Sequence, residues 1–356
     1  MVEWKKLGEV CKRNKGIPIT AGQMSELAVP NGNVRVFAAG QTIADINGAD
    51  LPINCAYKKP SIIVKSRGYI DFEFYEKPFT HKNEMWSYSF DNKEQGKYIF
   101  YYLTTKTELF RKKARANSVK LPQLCVADTD NFYIPLPSLS EQERIVGILD
   151  TFTSSIENLK AQISLRRKQY EHYRDKLLDP EGKPGVEMKT LGEIARVLRG
   201  KRLTKNLLSD DAQYPVFHGG LDPLGKYGQF NRDANTVMVI NVGASAGTVG
   251  FCDCKFWSSD GCFCISHSEL INNKFLFYYL QTKTHYLQSQ VRHAGIPTLD
   301  NPVVEKIAFP MINLQEQSRI VSILDEFEAS IKNLEAQLKE REKQYEYYRN
   351  KLLTFE

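Results

Sequence analysis

The densest group of reactive cations in this chain is Arg111, Lys112, Lys113, Arg115 and Lys120, five positive charges with no acid between them and Asn117 and Ser118 beside them. Cations mixed with amide and hydroxyl side chains suit phosphate oxygens and the edges of bases. The same run also reads as a solvated helix end, where cations favour the C-terminal dipole. Two shorter stretches share a basic–Gly–Thr character and carry the same two readings: KRNKGIPIT, with Lys15, and RGKRLTK, with Arg199, Lys201 and Arg202.

Other chemistry is weaker. FCDCKFWSSDGCFC sets Cys252, Cys254, Cys262 and Cys264 as C-x-C-x7-C-x-C, and four thiolates can hold zinc. The spacing is not the usual knuckle, and a hairpin with small apolar thiols at alternate positions accounts for it as well; no metal is expected. NVGASAGTVG (241–250) is Gly-rich but lacks the Lys-Ser/Thr of a phosphate loop, so a turn is expected. Asn301-Pro302-Val303-Val304 only half resembles the Asn-Pro-Pro-aromatic motif of amino-methyltransferases, and the six histidines form no metal-protease pattern. No catalytic constellation emerges, and no cofactor is expected on this chain.

A chain of 356 residues, 42% hydrophobic and 25% charged, has room for two ordinary domains. No apolar run reaches the ~18–20 residues of a membrane span, and the N-terminal MVEWKKLGEVCKRNKG has no apolar core of a secretory signal. Seven irregularly spaced cysteines suit reduced thiols in a cytoplasm. The net charge of +6 is unevenly placed: residues 1–138 carry 20 Lys/Arg against 14 Asp/Glu and residues 185–310 carry 13 against 11, whereas 139–184 are balanced at 8 and 8 and 311–356 have 7 against 9. If an anion is bound, the segments 1–138 and 185–310 bind it.

The elements that position these residues occur twice. Glu141–Leu178 and Glu316–Leu353 match at 25 of 38 positions at a fixed offset of 175. FYYLTTKT (100–107) matches FYYLQTKT (277–284) at offset 177, and WKKLGEV (4–10) matches MKTLGEI (188–194) at offset 184. The order is therefore head, variable globular part, long helix, and the same again. Boundaries follow: a first globular domain at 1–138, a first helix at 139–180, a Pro/Gly linker at 181–187, a second globular domain at 188–311 and a second helix at 312–356. Each globular part has short β-like runs, then one aromatic helix (96–114 and 273–291), which predicts an α+β fold.

The helices have a strict seam. Ile145, Leu149, Phe152, Ile156, Leu159, Ile163, Arg166, Tyr170, Tyr173 and Leu177 alternate spacings of four and three. The second copy repeats them in kind, with Leu324, Phe327, Ile331, Leu334, Arg341, Tyr345 and Tyr348 among them. Two such seams in one chain predict an intramolecular coiled coil, antiparallel if the halves are related by a pseudo-two-fold axis. Pro137 and Ser138 signal the helix start, with Ser140-Glu141 expected at the N-cap and first turn, and the seam arginines must snorkel or find partners. Helices of 38 residues at ~1.5 Å rise span ~57 Å.

The junctions IPLPSLSEQERIVGILDTF (134–152) and FPMINLQEQSRIVSILDEF (309–327) resemble the boundary motif of specificity subunits of type I restriction–modification systems. The W-K-x-L-G-E-V head, the F-Y-Y-L helix and the loops RANSVKLPQL (115–124) and RHAGIPTL (292–299) resemble it too, and the resemblance covers essentially the whole chain. The second junction lacks the second proline of the first. The resemblance implies two target-recognition domains, each reading one part of a split, asymmetric DNA site. It implies paired helices that set the gap and dock two methyltransferase subunits, with motor–nuclease subunits joining for cleavage. S-adenosylmethionine, ATP and Mg²⁺ would belong to those partners, and this chain would do no chemistry. By position, it makes the loops 115–124 and 292–299, the latter with Arg292 and His293, the leading candidates for DNA contact, followed by Lys65, Ser66 and Arg67 in one half and Asn241 and Ser245 in the other; Lys15, Lys112, Lys113, Arg115, Asn117, Lys120, Arg199, Lys201 and Arg202 complete the candidate DNA contacts. The competing expectation is a coiled-coil scaffold that binds only proteins.

Overall fold

A computed structural model describes residues 2–118, 120–180 and 186–355. Most of the linker expected at 181–187 lies outside them. In chain order the first half comprises β1 (Glu3–Lys6), α1 (Leu7–Val10), β2 (Lys12–Lys15), α2 (Ala21–Leu27), β3 (Val34–Phe37), β4 (Ile43–Ile46), β5 (Ser61–Lys65), β6 (Asp71–Tyr75), β7 (Phe79–His81), β8 (Trp86–Ser89), α3 (Lys93–Thr105), α4 (Thr107–Asn117), α5 (Val126–Asp130), β9 (Tyr133–Leu136) and α6 (Leu139–Leu178). The second comprises β10 (Glu187–Thr190), α7 (Leu191–Ile194), β11 (Val197–Arg199), β12 (Tyr214–Phe217), β13 (Gly225–Tyr227), β14 (Thr236–Ile240), β15 (Val249–Cys252), β16 (Trp257–Ser258), β17 (Cys262–Ile265), α8 (Asn273–Thr282), α9 (Thr284–Ser289), α10 (Asn301–Glu305), β18 (Ala308–Met311) and α11 (Leu314–Leu352).

The chain divides into two units, residues 1–160 with 337–356, and residues 161–336. Each therefore holds one globular part, the start of its own long helix and the end of the other. The sheets are the same in both. The first unit has a β1-β9 pair, a four-stranded sheet β2-β8-β5-β6 and a three-stranded sheet β4-β3-β7. The second has β10-β18, β11-β17-β14-β15 and β13-β12-β16. In both three-stranded sheets the last pair is parallel (β3 with β7, β12 with β16). The doubling read from the helices thus extends through globular parts whose sequences differ.

The aromatic helix expected as one piece is two in each unit, broken at Lys106 and at Lys283. The cause is local. Thr104 and Thr105 hydroxyls donate to the carbonyls of Tyr101 and Tyr102 at 2.7 Å, and Thr282 donates to Tyr279 at 2.7 Å. Such back-bonding competes with the helix ladder.

The junction motif is the clamp between globular part and helix. Ser138, not Ser140, caps α6: its carbonyl accepts from the amides of Glu141 and Gln142 at 3.0 Å. The buried Gln142 donates Nε2 to Pro137 O at 2.9 Å, and the buried Gln317 donates to Ile312 O at 2.8 Å. Arg144 forks onto Glu141 and Arg319 onto Glu316. Further along each helix, Tyr101 donates to Asp150 at 2.7 Å, and Tyr278 donates to Asp325. Burial, reinforced by these carboxylates, pushes both phenols far above their ordinary range.

The antiparallel pairing is visible inside each unit. In the first, Phe152 stacks on Tyr348 (centroids 5.4 Å) and the Arg341 guanidinium lies 5.7 Å over Phe152. In the second, Phe327 stacks on Tyr173 (5.6 Å) and Arg166 lies 5.7 Å over Phe327. These are the same three repeat positions, with the helices exchanged. The seam arginines are accommodated as cation–π partners, which keep the charge and cover the ring.

Each helix also ends in the other's globular core. Leu353 is buried with Tyr98, Leu103 and Ile134 in the first unit, and Leu178 with Leu280, Val304 and Phe309 in the second. Deleting such side chains costs about 2–5 kcal/mol. We expect Leu353→Ala to destabilise the first unit and Leu178→Ala the second by that amount, seen as faster amide hydrogen exchange confined to the corresponding unit. Equal loosening of both units by either variant would refute it.

In the first unit His81 is fully buried, with Nε2 3.1 Å from Ser87 Oγ, and burial holds its imidazole down at about 4. Between pH 6.5 and 4 the unfolded chain binds a proton that the folded one refuses. Stability is therefore complete above pH 6.5 and falls by about 3 kcal/mol toward pH 4. His81→Gln should flatten that part of a urea-midpoint profile; an unchanged profile would show that His81 is not its source.

Candidate nucleic-acid interface

In each unit the turn after the central strand is zipped to the loop that follows the broken helix. In the first, Leu124 N donates to Ser66 O and Gly68 N to Pro122 O, both at 2.8 Å. In the second, Leu299 N donates to Asn241 O at 2.8 Å and Gly243 N to Pro297 O at 2.9 Å. Gly68 and Gly243 have φ of +76° and +90°, the left-handed region that lets the turn close. The frame is the same; the side chains it presents are not.

In the first unit this frame gathers exposed Arg67, Tyr69, Arg115, Lys120 and Leu121. Arg115, Arg111, Tyr69 and Pro122 line a cleft of about 280 Å³. Arg111 donates to Ile70 O at 3.1 Å and pairs with Glu108 at 2.6 Å, which raises its affinity for its proton, so it holds the cleft wall. Asp128 ties down the loop: it accepts from Asn117 and from the Cys125 amide, each at 2.8 Å, with Lys113 at 3.7 Å. Burial alone would raise this carboxyl, but the hydrogen bonds and Lys113 outweigh it and hold it below the usual range.

In the second unit Arg199, Arg202, Lys205, His218, Asn241, Asp260 and Thr298 line a cleft of about 520 Å³ with Ile296 at its lip. His218 Nδ1 lies 3.3 Å from an Asp260 oxygen. Asn241 is only 3% exposed, and its Oδ1 has no protein partner. An amide held in this way retains hydrogen-bonding capacity toward whatever enters the cleft. The first unit's equivalent, Ser66, is fully buried with its hydroxyl on Glu84 O at 2.5 Å.

The candidates read from sequence separate accordingly. Arg67, Lys112, Arg115 and Lys120 are exposed on the first unit, and Lys15 is exposed at the end of β2. Lys65 is spent on Glu73 at 2.7 Å, and Ser66 is internal, so both belong to the frame. Asn117 and Lys113 are engaged by Asp128. Arg199, Arg202 and Asn241 meet in the second cleft. Lys201 is anchored by its backbone, donating to Ser258 O and accepting from the Trp257 indole at 2.8 Å. Arg292 pairs with Asp300 at 2.7 Å, His293 is exposed, and Ser245 sits in the turn after β14, outside the cleft lining. Lys205 was within reach, since it ends RGKRLTK. His218 and Asp260 come from distant stretches that carry no local signal, whereas Ile296 lies in the loop 292–299 already singled out in the sequence.

The four cysteines do not converge. Cys252 and the pair Cys262 and Cys264 lie on strands separated by β14, and all three are buried in one apolar cluster with Phe217 and Phe256. They are not the two arms of one hairpin, as the spacing suggested. Among the described residues the one group of possible metal ligands here is Cys252, Asp253 and Cys254, consecutive and without Cys262 or Cys264.

Two equivalent domains, each presenting a cationic face from one hydrogen-bonded frame, define a doubled recognition protein. The family model for the type I restriction modification DNA specificity domain matches residues 1–166 and again 184–342, and the chain belongs to that family. It is 27% identical over 391 residues to the EcoR124I/EcoR124II specificity subunit of Escherichia coli, covering 99% of this chain and 94% of that protein. It is 26% identical over 393 residues to a putative specificity subunit of Haemophilus influenzae, covering 99% and 96%. The solved S subunit of the type I restriction–modification system of M. genitalium superposes with a TM-score of 0.73 at 19% identity, over 100% of this chain and 97% of that one. The fold is thus α+β, with two recognition domains in tandem and their long helices paired.

The cleft of the second unit depends on one glycine. A Cβ at Gly200 would sit 1.9 Å from Ser259 O, and at the equivalent Gly16 it would sit 2.1 Å from Lys82 O. Gly200→Ala should push the RGKR loop away from β16, cost about 1–3 kcal/mol of stability, and shift Trp257 emission as its indole loses the Lys201 carbonyl. Unchanged emission would argue against this placement of the loop.

Proposed function

We propose that this chain is the DNA-recognition subunit of a type I restriction–modification complex. Each globular part reads one half of a bipartite, asymmetric site. The observation that carries this is the repeated frame with different tips: Arg67, Arg115 and Lys120 in the first unit, Arg199, Arg202, Lys205 and Asn241 with its unpartnered Oδ1 in the second. Cations on phosphates give register and salt-dependent affinity. An amide with unfilled hydrogen-bonding capacity suits a base edge.

The paired helices act as the ruler. A helix of 40 residues is about 60 Å long at 1.5 Å rise, and at 3.4 Å per base pair that sets an upper scale of roughly 18 base pairs between half-sites. The half-exposed tyrosines along the pair, Tyr173 and Tyr348, with exposed Tyr347, suit the docking of two methyltransferase subunits. Motor–nuclease subunits would join that core. On this reading the chain contributes no reacting group; S-adenosylmethionine, ATP and Mg²⁺ are held by its partners, and the assembly works in the cytoplasm. Among the described residues no helix is long and apolar enough to cross a membrane.

The test is to reconstitute the chain with a type I methyltransferase subunit and map methylated adenines across a genome. A bipartite motif is expected. Arg115→Ala with Lys120→Ala should relax or abolish one half of that motif, and Arg202→Ala with Lys205→Ala the other. An active complex with no motif would establish the scaffold reading instead, and loss of both halves from either variant would point to misfolding.

A further inference from the structure

The aromatic–cation contacts of the helix seam carry no information about which helix they pair with. Phe152, Tyr348 and Arg341 make in the first unit the contacts that Phe327, Tyr173 and Arg166 make in the second. Leu353 and Leu178 likewise do the same work in the two cores. If two first halves from separate chains came together, Tyr173 and Arg166 of one would supply to Phe152 of the other what Tyr348 and Arg341 supply now. Packing alone would therefore accept homotypic pairs, first helix on first helix or second on second.

The flanking charges do not. Lys160 Nζ lies 3.1 Å from Glu342, and Arg167 Nη2 lies 2.5 Å from Glu335. Under the 175-residue offset Lys160 is equivalent to Glu335 and Arg167 to Glu342. The two ion pairs are thus one contact made twice, with its sign reversed. A homotypic first-helix pair would set Lys160 against Arg167 at both crossings. A homotypic second-helix pair would set Glu335 against Glu342 at both. Each exposed ion pair is weak by itself. Exchanging two mixed pairs for one of each homotypic kind, however, turns four attractions into four repulsions, with the seam contribution unchanged.

We infer that these four charges bias the pairing of α6 and α11 toward the heterotypic one, so that the partner either half prefers is the other half and not a second copy of itself. The partner chemistry is specific: an antiparallel helix of the same seam whose two flanking charges are opposite. The consequence is that assemblies with one recognition domain of each kind, and so an asymmetric recognised site, are favoured even where several copies of the chain are present together.

The test uses the full chain with a protease site placed within residues 181–185. After purification it is nicked, unfolded in urea, refolded at low salt and examined by native mass spectrometry. For the nicked wild type, the squared heterotypic population divided by the product of the two homotypic ones should exceed the statistical value of about four at least tenfold, and fall toward it at 1 M salt. Lys160→Glu with Glu342→Lys keeps both heterotypic ion pairs but makes each helix self-complementary. That variant should refold to a mixture near the statistical ratio, with a thermal midpoint close to the wild type. Arg167→Glu with Glu335→Arg makes the same pattern independently and replaces the first variant if that one does not refold. Statistical homodimers from the nicked wild type would overturn the inference, and so would heterotypic pairs alone from the self-complementary variants.

Discussion

Everything in this molecule hangs on the aromatic–cation contact repeated along the two long helices. In each unit a phenylalanine from one helix is met by a tyrosine and an arginine from the other. A plain leucine seam would pair the helices as firmly but would tolerate slippage by a heptad. Three dissimilar groups that must meet fix the register, because a shift would bury a guanidinium without a ring or a ring without its cover. Once the register is fixed, Leu353 and Leu178 arrive where the globular cores have room for them. Each globular part is then completed by the helix that belongs to the other.

This arrangement explains which residues are repeated and which are not. Gln142 and Gln317 lock the strand-to-helix junction through backbone carbonyls, and Asp150 and Asp325 hold a tyrosine of the first aromatic helix. Those contacts are geometric, so both copies need the same side chains. The recognition frame is geometric too, but it is built of backbone hydrogen bonds between turn and loop. Backbone bonds leave the side chains free to differ. Ser66 can turn inward where Asn241 keeps its amide for the cleft, without changing the path of the chain.

The helix pair was legible in the sequence because its signal is periodic and long: one spacing rule held over many turns demands a partner with the same rule. The doubled α+β order was legible because the flanking motifs recur with it. The break at Lys106 and Lys283 was not, since the apolar pattern runs through it and the threonine hydroxyls that cause it act on the backbone. The candidate interface was legible only in part. A run of cations in sequence does not show that Lys65 is committed to Glu73 or that Lys113 faces Asp128. Nor does it show that His218 and Asp260 line the same cleft as Asn241. The cysteines misled because alternate spacing suggested a hairpin, whereas β14 runs between the two strands that carry Cys252 and Cys264.

A single-chain protein with two equivalent halves faces a problem that a homodimer does not. Its halves must be alike enough to share one seam and one junction, yet they must not become interchangeable, or the two recognition surfaces would no longer occur in a fixed combination. The seam cannot solve this, because any change that discriminates between copies there would disturb packing in both units. The rim can. Lys160, Arg167, Glu335 and Glu342 remain about half exposed, where a charge costs little to place and reversing its sign leaves the core untouched. Likeness is kept in the buried layer and difference at the edge, the same division that the globular parts follow between frame and tip.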